Sequence, residues 1–421
     1  MTSDPTTPVM RLPESGRPWD ALRGELVERK ANDVDWRSVR TAVYVFNAGD
    51  DVLDVAREAY SLYQSENALG PGAFPSLREL EEDVVRIGLG LLGAPSGAAG
   101  SMTSGGTESI LLAVKTCRNE ARSRGIDTTG AEIVLPHSAH PAFDKAAHYL
   151  GLVARRIAVA PDFRADVDAM ERAITPRTLM IVGSAPCFPY GMIDPIPELA
   201  ALAKRQGVWL HVDACVGGYL IPFVRMNGED LTPFDFSVDG VRSISADLHK
   251  YGYAAKGAST VFYRDAADHR HQLFVFDDWP AGGMVTPTVA GTRPGGAIAA
   301  AWAVLHYLGV AGYREKARLV TETRRKLMDA IDAIEPLRTY GRPKLGLFAY
   351  GSDSLPPFAI WAKLKARGWF TGVVTKPPGI HLMLSPAHAR VADRYLEDLA
   401  AAVAEVASGD TTGATTAARY A

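Results

Sequence analysis

Short apolar runs alternate with helical segments through the middle of the chain. Runs of strand length at residues 132–135, 152–159, 179–183 and 208–212 are separated by segments with apolar residues at helical spacing. This alternation predicts an α/β fold in which helices cover a mostly parallel sheet. Ligands of such sheets bind at the carboxyl ends of the strands. The polar residues that follow these runs are therefore the first candidates for a functional site.

Three polar residues stand directly after these runs. Asp213 follows the run at 208–212, His140 lies in the turn after 132–135, and Ser184 follows 179–183. A carboxylate at a buried strand end needs a cationic partner, for which a protonated pyridine nitrogen is suitable, although Asp is also common in turns and helix caps. His140 is either a turn residue or an imidazole that stacks on a cofactor ring and moves protons.

Two further apolar runs are joined by a loop that contains two lysines. Residues 243–260 include His249, Lys250 and Lys256 together with two glycines. A lysine in such a turn is placed to form an imine with a carbonyl such as the aldehyde of pyridoxal phosphate (PLP), and a solvated surface lysine is the alternative. Upstream, the Gly105-Gly106-Thr107 run opens a helical segment. Glycine-rich helix starts bind phosphate through free N–H groups, although they also occur as plain turns.

The net charge, the cysteine positions and the N-terminal composition limit the classes of protein to which the chain can belong. The formal net charge of the 421 residues is -3, which gives no reason to expect a nucleic-acid or membrane surface. The cysteines at 117, 187 and 215 are far apart, form no metal-ligand pattern and are typical of a reducing cytoplasm. The N-terminus lacks the apolar core of a signal peptide, and we expect no transmembrane segment and no bound metal.

The patterns divide the chain into four parts. We predict a helical N-terminal segment over residues 1–75 that contributes to a dimer and to the substrate entrance, and a large cofactor-binding domain over 76–312. A small C-terminal α+β domain follows over 313–407, and residues 408–421 form a mobile tail.

Several of these stretches, taken in order, resemble the PLP-dependent group II decarboxylase superfamily. The resemblance covers about residues 41–390. Its motifs are Thr103-Ser-Gly-Gly-Thr-Glu-Ser-Ile110, His140-Pro-Ala-Phe-Asp-Lys145, Gly191-Met-Ile-Asp-Pro195, His211-Val-Asp-Ala-Cys-Val-Gly-Gly218, the 243–257 loop and Gly291-Thr-Arg-Pro-Gly295.

The resemblance implies a fold, a cofactor and a set of residue roles. It implies fold type I, similar to aspartate aminotransferase, with PLP as cofactor and a homodimer whose subunits share active sites. Lys250 would form the imine, His140 would stack on the pyridine ring, and Asp213 would pair with its nitrogen; these three are the catalytic candidates. The implied cofactor-binding set is Gly105, Gly106, Thr107, His140, Ser184, Asp213, His249, Lys250 and Thr292, of which Thr292 comes from the partner subunit. The implied substrate-binding residues are Tyr44, Asn67 and Lys256.

Two activities fit these residues. The first is cleavage of the C2–C3 bond of a phosphorylated long-chain amino alcohol, which gives a fatty aldehyde and phosphoethanolamine. The alternative is decarboxylation of a small amino acid, for which Arg293 would clamp the carboxylate. The chain carries Asn67-Ala-Leu-Gly70 where the family commonly has Asn-Pro-Leu-His. A catalytically silent binding protein is disfavoured, because Lys250, His140 and Asp213 are all present.

Overall fold

The structure is a computed structural model that describes residues 9–413, and a seven-stranded sheet forms its centre. The sheet order is β1-β7-β6-β5-β4-β2-β3. Strand β7 is antiparallel to both of its neighbours, and the other pairs are parallel, so the sheet is mostly parallel as predicted. The strands are β1 Ala99–Thr103, β2 Glu132–Pro136, β3 Val153–Ile157, β4 Thr178–Ser184, β5 Trp209–Asp213, β6 Val241–Ala246 and β7 Ser259–Tyr263.

Apolar side chains cover both faces of this sheet. Val134 packs into one buried cluster and its neighbours Ile133 and Leu135 into another, because successive residues of a strand point to opposite faces. Burial on both faces is why the parallel strands read as continuous apolar runs rather than alternating ones. The helices before the C-terminal part are α1 Trp19–Arg29, α2 Asp50–Leu62, α3 Pro75–Leu91, α4 Gly106–Ser123, α5 Ala142–Leu150, α6 Val167–Ala173, α7 Ile196–Gln206, α8 Ile221–Met226 and α9 Ala266–His269.

Strand β1 was not predicted from the sequence. Its small residues look like a loop, but the strand pairs with β7 from Ala99↔Tyr263 to Thr103↔Ser259. The ring of Phe262 needs the space that a side chain would fill: a Cβ on Gly100 would lie 2.6 Å from it, and one on Gly88 would lie 2.4 Å from it. The glycines here therefore serve packing rather than chain reversal. The sequence Ser76-Leu-Arg-Glu79 matches a capping box and predicts a capped helix start, but α3 begins at Pro75 without a side-chain cap.

A small hairpin and a long helix follow the central sheet. The hairpin pairs β8 Phe274–Phe276 with β9 Met284–Thr286. The sequence pattern predicts one helix that opens after the glycine-rich turn and runs through Trp302, and another over 313–334. Both lie within α10 Gly295–Asp332, which is interrupted by a kink at Gly309, where φ is 53° and ψ is -174°. By length and composition this helix alone, among the described residues, passes as a membrane span, although half of the apolar window is buried in the protein as in a core helix. A single helix of this kind is weak evidence for a membrane span, so the expectation of no transmembrane segment stays a prediction.

The C-terminal part is a four-stranded antiparallel sheet with two helices. The strands are ordered β10-β11-β13-β12, and they surround an apolar cluster separate from that of the large sheet. Residue Ala42 of the N-terminal segment joins this cluster: its N–H donates to the Phe370 carbonyl and its own carbonyl accepts from Met383 N–H. The elements are β10 Leu337–Thr339, β11 Leu347–Ser352, α11 Pro357–Ala366, β12 Gly372–Thr375, β13 Pro378–Met383 and α12 Ala392–Ala407.

The predicted tail is described only in part. Asp410 forms an ion pair of 2.6 Å with Lys363 of α11, and Thr412 accepts a hydrogen bond from the same amine. The rest of the predicted tail, 414–421, lies outside the described residues, as do residues 1–8.

Candidate active site

A glycine-rich helix start forms one wall of a cavity of about 400 Å³ at the carboxyl ends of the central strands. Gly105 precedes α4, and no side chain caps that helix, so its first N–H groups point toward an open space. A Cβ on Gly106 would lie 2.7 Å from Cys215 Sγ and 2.9 Å from the Asp247 carboxylate oxygens. Only glycine fits at this position. Thr107 also lines the cavity, so the predicted phosphate-binding run lies together there.

Lys250 lies in the same cavity, in the turn after β6. Its Nζ is 2.9 Å from Asp247 Oδ2, and the Asp247 side chain is 2% exposed. Burial is the largest single effect and disfavours the ammonium, but the Asp247 charge, its hydrogen bond and the Asp213 charge act together with the other nearby groups to raise the pKa of Lys250. The Lys250 ammonium in turn holds the pKa of Asp247 below its ordinary value despite the burial of that carboxylate. The two groups form a buried ion pair that keeps the amine at a fixed place.

Asp213 and His140 face the cavity from two other strands. Asp213 is the last residue of β5, where its Oδ1 accepts from Cys215 N–H at 3.1 Å and from Ser245 Oγ at 3.3 Å. His140 accepts a hydrogen bond from Ala142 N–H at Nδ1, so the proton of its neutral ring is on Nε2. Burial lowers the pKa of His140 even though the Asp213 charge opposes this, which keeps the ring neutral at neutral pH.

His249 and Ser184 each present a buried polar atom without a hydrogen-bond partner among the described residues. The two atoms are His249 Nδ1 and Ser184 Oγ. His249 lines the cavity next to the glycine run, and its Cε1 would be 3.6 Å from a Cβ on Gly105. Ser184 ends β4 in register with Asp213 but is not part of the cavity wall. An unpartnered nitrogen beside an open helix start is suitable for an anion.

These residues fit PLP. The phosphate would lie at Gly105, Gly106 and Thr107 with His249 beside it, the pyridine nitrogen at Asp213, and the aldehyde at Lys250. The absence of a side chain at Gly106 lets Cys215 and the Asp247 carboxylate pack against the start of α4. Across residues 9–413, no group of three or more His, Cys, Asp or Glu is arranged to hold a metal ion.

A second lysine, Lys256, contacts the N-terminal segment and the backbone beside the cavity. Its Nζ donates to the carbonyl oxygens of Tyr44 at 3.0 Å and His249 at 3.2 Å, and lies 5.5 Å from the centre of the Phe46 ring. The residue as a whole is exposed. Partial desolvation of its amine by these neighbours, together with the Lys250 charge, lowers the pKa of Lys256 to about 8. Tyr44 has a φ of 63°, a conformation uncommon for a residue with a side chain.

Two further predicted residues, Asn67 and Thr292, are absent from the cavity wall, as are Ser184, Tyr44 and Lys256. Asn67 donates to Thr292 Oγ1 at 3.3 Å, and neither side chain lines the cavity of its own chain. The neighbouring Arg293 forms a half-buried ion pair with Glu81 and donates to the Ala68 carbonyl. Glu108 connects the two regions, since its carboxylate accepts from Ser104 N–H and from Val289 N–H.

Sequence reasoning missed several residues of the cavity wall, among them Asp247, Cys215 and Phe188. Asp247 was not singled out, although its position three residues before Lys250 is a usable signal for a side chain that meets the lysine across one turn. Cys215 and Phe188 also line the cavity. The ring of Phe188 packs against His381 of β13 with 4.5 Å between ring centres, and His381 Nε2 donates to the Phe188 carbonyl. No pattern in the sequence connects these two residues.

The comparisons with known proteins agree with this geometry. Residues 10–350 match the pyridoxal-dependent decarboxylase conserved domain. The chain is 41% identical over 401 residues to sphingosine-1-phosphate lyase 1 of mouse (Mus musculus), which covers 94% of this chain and 70% of the mouse protein. The solved structure of a sphingosine-1-phosphate lyase from Burkholderia pseudomallei superposes with a TM-score of 0.91 and 36% identity, covering 96% of this chain and 94% of that one.

A glutamate decarboxylase from Lactobacillus brevis shares the fold, with a TM-score of 0.83 at 20% identity and a coverage of 95% of each chain. Fold, lysine and phosphate-binding run together define a PLP-dependent enzyme of fold type I and confirm the predicted fold and cofactor. The chain belongs to the sphingosine-1-phosphate lyase family, within the pyridoxal-dependent decarboxylases. It is therefore a PLP-dependent lyase.

Proposed function

We propose that this enzyme cleaves the C2–C3 bond of a phosphorylated long-chain amino alcohol and releases a fatty aldehyde and phosphoethanolamine. The observation that carries the proposal is the place of Lys256. Its ammonium donates to the backbone carbonyl of His249, whose side chain lines the cavity that contains Lys250, and to the Tyr44 carbonyl. A decarboxylase acting on an unphosphorylated amino acid has no need for a second cation there, whereas a substrate phosphate does.

The residues of the cavity have separable tasks in this reaction. When bound, PLP supplies an electron sink that weakens a bond at the amine-bearing carbon of the substrate. Asp213 keeps the proton on the ring nitrogen, since an adjacent carboxylate favours the charged form. The neutral ring of His140 stacks on the pyridine. The Lys250 amine takes the proton of the C3 hydroxyl, and Asp247, 2.9 Å from Nζ, stabilises the resulting ammonium.

An apolar groove next to the cavity supports a long-chain substrate. The groove has a volume of about 660 Å³ and shares His140 and Phe188 with the cofactor cavity. Val159, Val373 and Val374 contribute to its walls. A hydrocarbon chain that leaves the reacting carbons has a continuous apolar surface here, whereas a small amino acid would leave this surface unfilled.

Arg293 does not support the decarboxylase alternative. Both of its terminal nitrogens bond to Glu81, which is itself only 17% exposed. An arginine held in such a bidentate pair is not free to clamp a substrate carboxylate. The glutamate also anchors the loop that contains Thr292 to α3, which gives the pair a structural task.

The pH dependence of KM tests the role of Lys256. The pKa of about 8 means that its ammonium is charged at pH 7 and mostly neutral at pH 9, so the attraction to the substrate phosphate weakens as pH rises. We expect KM for a phosphorylated long-chain base to rise about tenfold between pH 7 and 9 with little change in kcat. The Lys256→Ala variant is the control: it should bind PLP normally, turn over poorly and show no such rise. A rise that persists in the variant would contradict the assignment.

We also propose that the enzyme is a homodimer with shared active sites in the cytoplasm. Six large apolar residues on and around the hairpin of β8 and β9 are exposed in the single chain, which is typical of an interface: Phe274, Val275, Phe276, Trp279, Val285 and Val289. Thr292 is close to this hairpin in sequence and does not line its own cavity, which supports its role in the partner's site. All three cysteines are buried and unpaired, which is in keeping with a reducing compartment.

A charge on the hairpin should dissociate this dimer. Val275 is 63% exposed in the single chain, so Val275→Asp leaves the subunit fold intact but places a carboxylate in the proposed interface. We expect the dimer dissociation constant from analytical ultracentrifugation to rise at least about a hundredfold, with parallel loss of activity. Val153→Asp, at a residue 47% exposed on β3, serves as the matched control and should stay dimeric. A dimer unaffected by Val275→Asp would exclude the hairpin from the interface.

A further inference from the structure

A row of buried polar side chains continues from Asp213 into the sheet. Trp209, His211 and Asp213 lie on one face of β5 because side chains alternate along a strand. Ser243 and Ser245 lie opposite them on β6, in the register His211↔Ser243 and Asp213↔Ser245. His211 and both serines are 0% exposed and Trp209 is 1% exposed. Such a run of polar groups inside an otherwise apolar sheet needs a reason, since each must find a partner.

Hydrogen bonds connect all five side chains. Trp209 Nε1 donates to Ser243 Oγ at 2.7 Å, and Ser243 Oγ is 2.8 Å from His211 Nδ1. His211 Nε2 is 3.3 Å from Ser245 Oγ, which in turn is 3.3 Å from Asp213 Oδ1. The Cys215 thiol also donates to Ser245 Oγ at 3.3 Å.

The donors and acceptors determine the direction of the chain. The indole of Trp209 only donates, so Ser243 Oγ accepts from it, and the Asp213 carboxylate only accepts, so the single proton of the Ser245 hydroxyl goes to Asp213. Ser245 Oγ must therefore accept from His211 Nε2, and Ser243 donates to Nδ1. Burial lowers the pKa of His211 to about 4 although the Asp213 charge opposes this, so the ring carries one proton at neutral pH. That proton is on Nε2. The Nε2–H group donates to Ser245 Oγ, and the Ser245 hydroxyl donates to the Asp213 carboxylate. The opposite tautomer would turn the Ser245 hydroxyl away from Asp213.

We infer that His211 and Ser245 are positioning residues that keep the Asp213 carboxylate oriented and ionised beneath the cofactor nitrogen. Every hydrogen bond in the row points toward that carboxylate, and such aligned bonds polarise one another in a medium of low dielectric constant. The edge of the Phe143 ring packs on His211, with 5.7 Å between ring centres, and holds the imidazole in the plane that both serines need. The inference depends on the cofactor role of Asp213 and not on the identity of the substrate.

Nitrogen-15 NMR of histidine-labelled, PLP-loaded protein tests the direction of the chain without any substrate. The His211 signals are identified by their absence in the His211→Gln variant. We expect a neutral ring with the proton on Nε2 from pH 6 to 9. A proton on Nδ1, or a charged ring, would overturn the inference, while an error in the proposed substrate would leave this result unchanged.

Two substitutions at His211 separate positioning from packing. The amide of His211→Gln reaches the place of Nε2 and still donates to Ser245, whereas the shorter amide of His211→Asn reaches only the place of Nδ1. We expect kcat of the Gln variant to stay within about threefold of the parent and that of the Asn variant to fall at least about tenfold, with KM unchanged in both. Equal losses in the two variants would show that the ring only fills space.

Ser245→Ala extends the test to the group that touches Asp213. We expect an about tenfold lower kcat and an altered pH titration of the visible absorption of the bound cofactor. Ser101→Ala is the matched control, because Ser101 is also a buried sheet serine but bonds to His269 and Gln272 far from Asp213 in the hydrogen-bond network. If Ser101→Ala changed the titration as much as Ser245→Ala, the effect would be general destabilisation and the inference would fail.

Discussion

The Lys250→Ala variant is expected to lack the visible absorption that PLP shows when joined to the enzyme, and to lose at least about a thousandfold in kcat. Lys250 lines the cavity beside the glycine run, and its Nζ is 2.9 Å from Asp247 Oδ2. Without this amine the cofactor can bind only through its phosphate and its ring. The measurement is an absorption spectrum of the purified variant after incubation with PLP, followed by a turnover assay.

The neighbouring Lys256→Ala variant is the control for this experiment. Lys256 lies at the entrance of the same cleft but bonds to the carbonyl oxygens of Tyr44 and His249. The absorption should therefore persist in Lys256→Ala and disappear in Lys250→Ala. An unchanged spectrum of Lys250→Ala would contradict the assignment of the lysine.

Asp213→Asn is expected to lower kcat by about a hundredfold to a thousandfold while the protein still folds and binds PLP. The substitution preserves the size of the side chain and its hydrogen bond from Cys215 N–H, but removes the charge that favours a protonated ring nitrogen. Steady-state kinetics should show the loss in kcat rather than in KM, because the charge acts on bond cleavage and not on substrate affinity.

The control for the charge change is Asp239→Asn. Asp239 is an exposed carboxylate paired with Lys204 on the surface, and its replacement should leave kcat within error of the parent. Full activity in Asp213→Asn would show that another group protonates the ring, and the mechanism proposed for the cavity would have to be abandoned.

The parallel strands could be predicted because both of their faces are buried. The run predicted at 208–212 is observed as Trp209–Asp213, and that at 179–183 as Thr178–Ser184. Strand β1 could not be predicted, since its glycine is required by the ring of Phe262, a residue more than a hundred positions away in the sequence. The two helical segments predicted on either side of Gly309 agree with the kink that interrupts α10 at that glycine.

Some residues of the candidate site could likewise be predicted from the sequence, and others could not. Lys250, His140, Asp213 and the Gly105-Gly106 run were found because each follows an apolar strand or opens a helix, positions where side chains reach the end of a sheet. The contribution of Asp247 depends on the conformation of a single turn, and that of His211 on the register between β5 and β6. Neither the turn nor the register follows from hydrophobic periodicity. The substrate-binding role of Asn67 and the role of Thr292 in the partner subunit's site stay predictions.

The most direct test of the account is the identity of the products formed from a phosphorylated long-chain base by the purified, PLP-loaded enzyme. Mass spectrometry should detect a fatty aldehyde and phosphoethanolamine in equal amounts, with far less product from the same base without its phosphate. That result would also show that Gly70 is compatible with phosphate recognition. Absence of the aldehyde, together with carbon dioxide release from an amino acid, would contradict the proposed lyase reaction and favour the decarboxylase alternative.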